Sequence, residues 1–374
     1  MKRSIPHWLA AAAPVCVALT CVALPAHAAS APSQPHRSLP PRADILALMH
    51  KVDDWQTAHP VMAANDRNWE RGTWYTGVMG AWKTTGDAKF LDQALDYGRQ
   101  NNWQVGTEKA GANRLFIAET WVELYLAKHD PQMIAPTEQW LATNAPNSPG
   151  GAKRWYLDSG RPYIDSLYGA PVFAMLARAI GDRKYLDTLH AFTADLIAGL
   201  WDEDAGLFYR DSTYIGKRTA RGKKVLWSRG NGWAFAGLAR LLEYLPKNDP
   251  DRARYLALYR RMAASIAERQ SPDGFWRANL DDSEDIPNPE SSGTAFFCFG
   301  YAWGIRHHLL DRRKYLPVAE KAYAALAGAV SPEGMVQWGQ QVDAQPHATP
   351  RSSSHEYVTG AFLLASGEMY RLSR

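Results

Sequence analysis

The sequence predicts an all-α protein, an (α/α)6 toroid of six helical hairpins with long loops gathered on one face. Three observations carry this. Helical periodicity dominates after residue 40 while alternating strand patterns are scarce. Short turns bearing an aspartate recur along the chain, at Asp87, Asp130, Asp182, Asp249 and Asp311. The helices on the two sides of each turn differ in how much apolar surface they carry.

The turns read TTGDAKFLD from Thr84, KHDPQMI from Lys128, IGDRKYLD from Ile180, PKNDPDRARYL from Pro246 and LLDRRKYL from Leu309. Each joins a Gly, Asn or Asp stop to a capped helix start. A first helix at 41–58 and a last at 355–373 complete the set, pairing to close the ring. The leading helices, GVMGAWKT from Gly77, APVFAMLARAI from Ala170, GWAFAGLARLLEYL from Gly232 and GTAFFCFGYAWGI from Gly293, are apolar nearly all round. A helix without a polar face is buried, so these form the inner ring. Their partners, such as KFLDQALDYGRQ from Lys89, carry a charged face and form the outer ring.

Composition narrows the function. The 374 residues are 46% hydrophobic and 21% charged, which excludes disordered and low-complexity classes. The net charge is only +4, and no run of five like charges exists, so a nucleic-acid partner is not expected. Fifteen tryptophans are unusually many; core packing accounts for about half of them, and a surplus suits flat surfaces that stack on a ligand. Lys2 and Arg3, the apolar run from Trp8 to Leu24 and Ala26-His27-Ala28 read as a signal peptide over 1–28. A linker at 29–40 and one domain over 41–374 follow. The expectation is an exported, periplasmic protein, a monomer or homodimer without membrane contact in its mature form. Cys298 is then the one cysteine left, which excludes an intramolecular disulfide.

Connections from outer to inner helices are long, at 145–162, 202–229, 271–290 and 330–354, and rich in aromatics such as Trp155, Tyr163, Trp227, Trp276 and Trp338. Loops of that length in a compact domain are usually functional. All of them deliver the chain to inner-helix N-termini, whose partial positive charge favours an anion. Aromatic loops over such a face point to an acidic carbohydrate.

Within these loops WSRGNGW, Trp227 to Trp233, is the sharpest motif. Arg229 offers a planar fork for a carboxylate, Gly230 and Gly232 let backbone approach a ligand, and Trp227 and Trp233 can stack on a sugar. The competing reading has Asn231 capping a helix while the tryptophans pack. In YIDSLYGAP, Asp165 stands beside Tyr163, where desolvation can keep a carboxyl protonated for general acid work; a plain N-cap is the alternative. In PESSGTAFF, Ser291 or Ser292 is the expected cap and Glu290 a candidate to face the cavity. In LFYRDSTY, from Leu207, Arg210 and Asp211 are candidates to touch substrate, with KKVLW from Lys223 forming a hairpin over the site. His355 is placed at the rim, and Trp74 on the first inner helix completes the candidates. With no H-x-x-x-H pair, phosphate loop or nucleophile elbow, neither metal nor cofactor is expected.

Taken together, WSRGNGW, the D-x-L-Y-x-A-P of Asp165 to Pro171, the E-S-S-G-T-A of Glu290 to Ala295 and GAFLLA-x-x-E-M from Gly360 resemble glycoside hydrolase family 105. That family comprises unsaturated rhamnogalacturonyl hydrolases, related to the unsaturated glucuronyl hydrolases of family 88. The resemblance runs from about residue 45 to the end. It implies an (α/α)6 barrel that protonates the C4=C5 enol ether of a terminal unsaturated uronic acid and adds water at C5. It gives Asp165 the acid's role and places Arg229, Trp227 and Trp233 at the uronate. Many relatives carry an Asp pair where this chain has Gly111-Ala112-Asn113-Arg114-Leu115, and a histidine where it has Arg210. Both departures make the site more positive. Two other readings stay open: a non-catalytic binder of acidic oligosaccharides, and an inverting glycosidase with Glu290 or Asp211 as base.

Overall fold

The computed structural model describes residues 39–146, 155–156 and 160–373. The expected signal peptide and nearly all of the linker lie outside these residues, as does much of the 145–162 loop. Twelve α-helices are described: α1 (Arg42–Ala58), α2 (Trp69–Thr85), α3 (Ala88–Gln100), α4 (Gly111–Lys128), α5 (Ala135–Asn144), α6 (Pro171–Ile180), α7 (Lys184–Leu200), α8 (Ser228–Tyr244), α9 (Arg252–Ala267), α10 (Ser291–Arg306), α11 (Arg312–Gly328) and α12 (Glu356–Leu372). The even-numbered helices form the inner ring, each against the next, and α12 closes on α2. The first helix packs on the last, as the repeat pattern requires.

Burial follows the patterning. Ser291–Ile305 of α10 are buried without interruption, whereas α3 buries only Phe90, Ala94, Leu95, Tyr97 and Gly98. Each fully buried Leu or Phe contributes about 1.5–3 kcal/mol over an exposed one. The turns use the expected chemistry. Asp87 accepts from Lys89 N at 3.0 Å and Asp311 from Lys314 N at 2.9 Å. Gly86 ends α2 at φ 78°, a left-handed conformation that costs glycine little. Ring closure needs a glycine pair, since a Cβ on Gly77 would lie 2.3 Å from the Gly360 carbonyl oxygen of α12.

Connections from inner to outer helices are short, while 201–227, 268–290 and 329–355 run long toward inner-helix N-termini. One expected feature differs. LFYRDSTY does not pair with KKVLW; β1 (Trp201–Asp202) pairs instead with β2 (Leu207–Phe208), and Trp227 bridges to Asn279. The four residues between β1 and β2 make the nearer partner cheaper to close. At the opposite end, Arg240–Glu119, Lys83–Glu243 and Arg306–Glu368 ion pairs, at 2.7, 2.7 and 2.5 Å, place cations near inner-helix C-termini.

Candidate active site

A cavity of about 320 Å³ opens at the N-terminal ends of the inner helices, lined by residues of the long loops and of α2, α4 and α8. Six of the sequence candidates meet there: Asp165, Arg229, Trp233, Asn113, Tyr163 and Arg210. Trp233 is only 2% exposed and wedged among aromatics, its ring centroid 4.3 Å from Phe296 and 4.7 Å from Tyr168. Trp69, edge-on to it at 5.8 Å and half-buried, is the larger exposed aromatic surface in the lining. Trp69 opens α2, so reading every inner-helix start would have found it.

Asp165 sits in a 3-10 turn, Ile164–Gly169, whose N-cap position belongs to Tyr163. It is therefore not the helix cap that the local sequence also allowed. Its side chain is 16% exposed, and Oδ2 is buried with no hydrogen-bond partner. Burial raises its pKa, and the Arg210 and Arg229 charges pull it back only in part. Arg210 is delivered by backbone pairing. Asn231 clamps Phe208 through both its N–H and its carbonyl, at 2.8 and 3.0 Å, and Ile164 N donates to the Arg210 carbonyl at 2.8 Å. Asp211 orients Arg210 from behind, accepting from Nη1 at 2.7 Å.

Arg229 does not offer the free fork that its motif promised. Nη1 donates to the Gln341 carbonyl at 2.8 Å and to Tyr357 Oη at 2.7 Å, and Nη2 to the Asp343 carbonyl at 2.7 Å. Only Nε is uncommitted. Trp227 is likewise not in the lining: it is 1% exposed, 4.4 Å behind the Arg229 guanidinium, and its Nε1 donates to Gln340 Oε1 at 2.8 Å. Together they strap down the 340–344 segment, whose Val342, Asp343 and Ala344 form a cavity wall that sequence reading missed. The glycines serve packing too. A Cβ on Gly232 would meet Phe296 at 3.2 Å, and one on Gly230 would meet Ile164 at 3.2 Å, so neither faces a ligand.

Asn113 is wired to a carboxylate. Its Nδ2 donates to Glu108 Oε2 at 2.7 Å, and its Oδ1 accepts from Tyr163 Oη at 2.5 Å. Burial pushes Glu108 up to about 7. Asn113→Asp would set two carboxyls against each other with no donor between them. Its melting temperature is expected to fall below wild type by more at pH ~8 than at pH ~5, as the shared proton is lost. Equal deficits at both would show that the pair is not coupled. Arg114 is outside the cavity lining; its guanidinium bonds the Glu108 and Thr107 carbonyls, closing its own turn.

Behind Trp69, Glu70 is buried with Oε2 unpartnered, and burial lifts its pKa from 4.5 to about 8. The folded protein keeps this proton where the unfolded chain loses it. Stability therefore declines as pH rises from 4.5 to about 8, by about 1.4 kcal/mol per pH unit for this group alone. Glu70→Gln is expected to flatten that decline in thermal denaturation; an unchanged slope would remove Glu70 as its source.

Three other candidates are structural. Glu290 is fully buried beneath α10, accepting from Ser292 N at 2.7 Å and Gly293 N at 2.8 Å, so the cap is the glutamate and not Ser291 or Ser292. The unsatisfied N–H groups of the helix start draw it inward. His355 caps α12 through Nδ1, and Trp74 donates to Asp53 Oδ1 at 3.0 Å, on the α1 side of α2. One Asp/His group does form, against the sequence expectation. His190, Asp249 and Asp251 place candidate ligand atoms within 4.8 Å of one another, outside the cavity lining. The fold brings α7 against the turn after α8, which no local spacing reveals.

An aromatic-walled cavity at the N-terminal face of an (α/α)6 toroid, with a largely buried carboxyl beside a guanidinium, defines a carbohydrate-active enzyme. The chain belongs to glycosyl hydrolase family 88, whose family model matches residues 47–373. It is 33% identical, over 88% of this chain and 91% of the relative, to an unsaturated 3S-rhamnoglycuronyl hydrolase of Formosa agariphila. A family 88 glycosyl hydrolase structure from Bacteroides vulgatus aligns at TM-score 0.80 with 29% identity, covering 89% of this chain and 99% of that one. A structure from Salmonella enterica, described as a possible family 105 member, shares the fold at TM-score 0.74 and 21% identity, over 91% and 97% of the two chains.

Proposed function

We propose that this chain removes the 4,5-unsaturated uronic acid from the non-reducing end of oligosaccharides left by polysaccharide lyases, and that the preferred aglycone is a 3-sulfated rhamnose. The single observation that carries the reaction is Asp165, a carboxyl in the cavity lining whose side chain is only 16% exposed and whose Oδ2 is buried with no hydrogen-bond partner. Protonated, it gives its hydrogen to C4 of the enol ether, and positive charge develops at C5. Water adds at C5 and returns a proton to the Asp165 carboxylate. The resulting hemiketal opens and expels the aglycone. Trp69 supplies a stacking surface, and Arg210 supplies positive charge for the uronate.

The name of the Formosa agariphila relative supports the rhamnose aglycone. The charged start, apolar run and Ala26-His27-Ala28 support export to the periplasm, where lyase products would be met. The inverting reading loses support because Asp343, the other carboxylate in the described lining, accepts from Ala344 N at 2.5 Å and pairs with His347 at 2.6 Å. A panel of unsaturated disaccharides, sulfated rhamnosyl, pectic and glycosaminoglycan-derived, tests the proposal. The expected result is loss of the ultraviolet absorbance of the conjugated double bond, fastest on the sulfated rhamnosyl member. No loss on any of them would overturn it.

A further inference from the structure

Arg210 and Asp165 face each other across the cavity wall without completing a hydrogen bond. Arg210 Nε lies 3.4 Å from Asp165 Oδ2, and both atoms are buried and unpartnered. The guanidinium is held elsewhere, by Nη1 to Asp211 at 2.7 Å and by the Tyr163 ring, whose centroid lies 5.3 Å away. Among the described residues its only hydrogen bond is the one to Asp211. Nε faces Asp165, so among the described residues Nη2 is the nitrogen left without a partner, and it offers a charge-assisted N–H to a carboxylate. Arg229 cannot compete, because its Nη1 and Nη2 are spent on the 340–344 carbonyls and Tyr357.

We propose that Arg210 receives the substrate's carboxylate on Nη2, and that this withdrawal of its charge from Asp165 is what loads Asp165 with the catalytic proton. The proposal rests on Asp165 being the acid. In the empty site the guanidinium favours the ionised carboxylate. In the filled site the uronate neutralises Arg210, adds a negative charge beside Asp165 and displaces water, all of which favour the neutral acid. The other groups near Asp165 are Arg229, Tyr163 and Glu108, the last reached through Asn113 and Tyr163, and Asp343 also lines the cavity. None is placed to exchange partners, since each is bonded to protein. One proton enters from solvent as substrate binds. It is transferred to C4 and replaced from the attacking water. It returns to solvent when product leaves and Arg210 faces Asp165 again.

The test is calorimetric titration with D-glucuronate, which lacks the double bond and is not turned over, in two buffers of different ionisation enthalpy from pH ~5 to ~9. Wild type is expected to take up a proton on binding. Asp165→Asn is expected to bind with no uptake. Arg210→Gln should bind about tenfold or more weakly, the loss of one charge-assisted pair, with no uptake. The amide of glucuronic acid should cause none in any variant. Kinetics give a second arm on the unsaturated disaccharide. The high-pH limb of kcat, which reports the complex, should lie above that of kcat/KM, which reports the free enzyme, and the two should converge in Arg210→Gln. Arg210→Lys, which keeps the charge but not the fork, should restore part of the separation. Coincident limbs in wild type, or proton uptake that survives Arg210→Gln, would overturn the proposal. Undiminished turnover in Asp165→Asn would instead overturn the assignment of the acid itself.

Discussion

Asp165→Asn is expected to retain the fold and lose about 10²- to 10⁴-fold in kcat, the range that a positioned general acid contributes. The substitution is nearly isosteric, and Asp165 caps no helix, so the melting temperature should hold. The sign of the pH dependence follows from the direction of its pKa. Burial raises it, so the proton needed at C4 persists above the ordinary carboxylate range. Activity should therefore fall as pH rises through that raised value, and the amide should abolish this limb rather than move it. Initial rates from loss of the double-bond absorbance, measured across pH, check this. A rate within about threefold of wild type would remove Asp165 from the chemistry.

Arg229→Ala is expected to damage both stability and activity, because the side chain is a strap before it is a ligand. It is 1% exposed and bonds the Gln341 and Asp343 carbonyls and Tyr357. Removing it strands those acceptors, at about 1–3 kcal/mol for each that stays buried. The melting temperature should drop by several degrees. Freeing 340–344 should also let the wall of Val342, Asp343 and Ala344 move, lowering kcat/KM by about tenfold or more. Arg229→Lys should recover part of the stability, since one ammonium reaches one or two of the three acceptors. Thermal denaturation beside steady-state kinetics separates the cases. An unchanged melting temperature with only KM raised would return Arg229 to direct contact with the uronate.

The contrast between Arg229 and Arg210 shows where sequence reading worked and where it stopped. Both arginines were legible as cavity candidates, since Arg210 lies in a long aromatic loop and Arg229 in the first turn of the inner helix to which that loop leads. Their roles were not legible. Glu290 stands in the same kind of position and is a candidate cavity group by sequence, yet its two N–H partners lie two and three residues ahead of it, within reach of the cap geometry. That error was avoidable from local rules. Glu108 was not avoidable, because its importance arises only through Asn113 and Tyr163, the latter brought in from another loop.

Helical periodicity, capping aspartates and the alternation of short and long connections are properties of neighbours along the chain. They were enough to establish twelve helices, their sorting into two rings and the face that carries the site. What each guanidinium does depends on which acceptors exhaust its donors. For Arg229 those acceptors lie 112 and 114 residues further along the chain. Hydrogen-bond donors are few and are spent once. Their allocation is settled only when the loops have folded over the ring, which leaves Arg229 committed and Arg210 with Nη2 to spare beside Asp165.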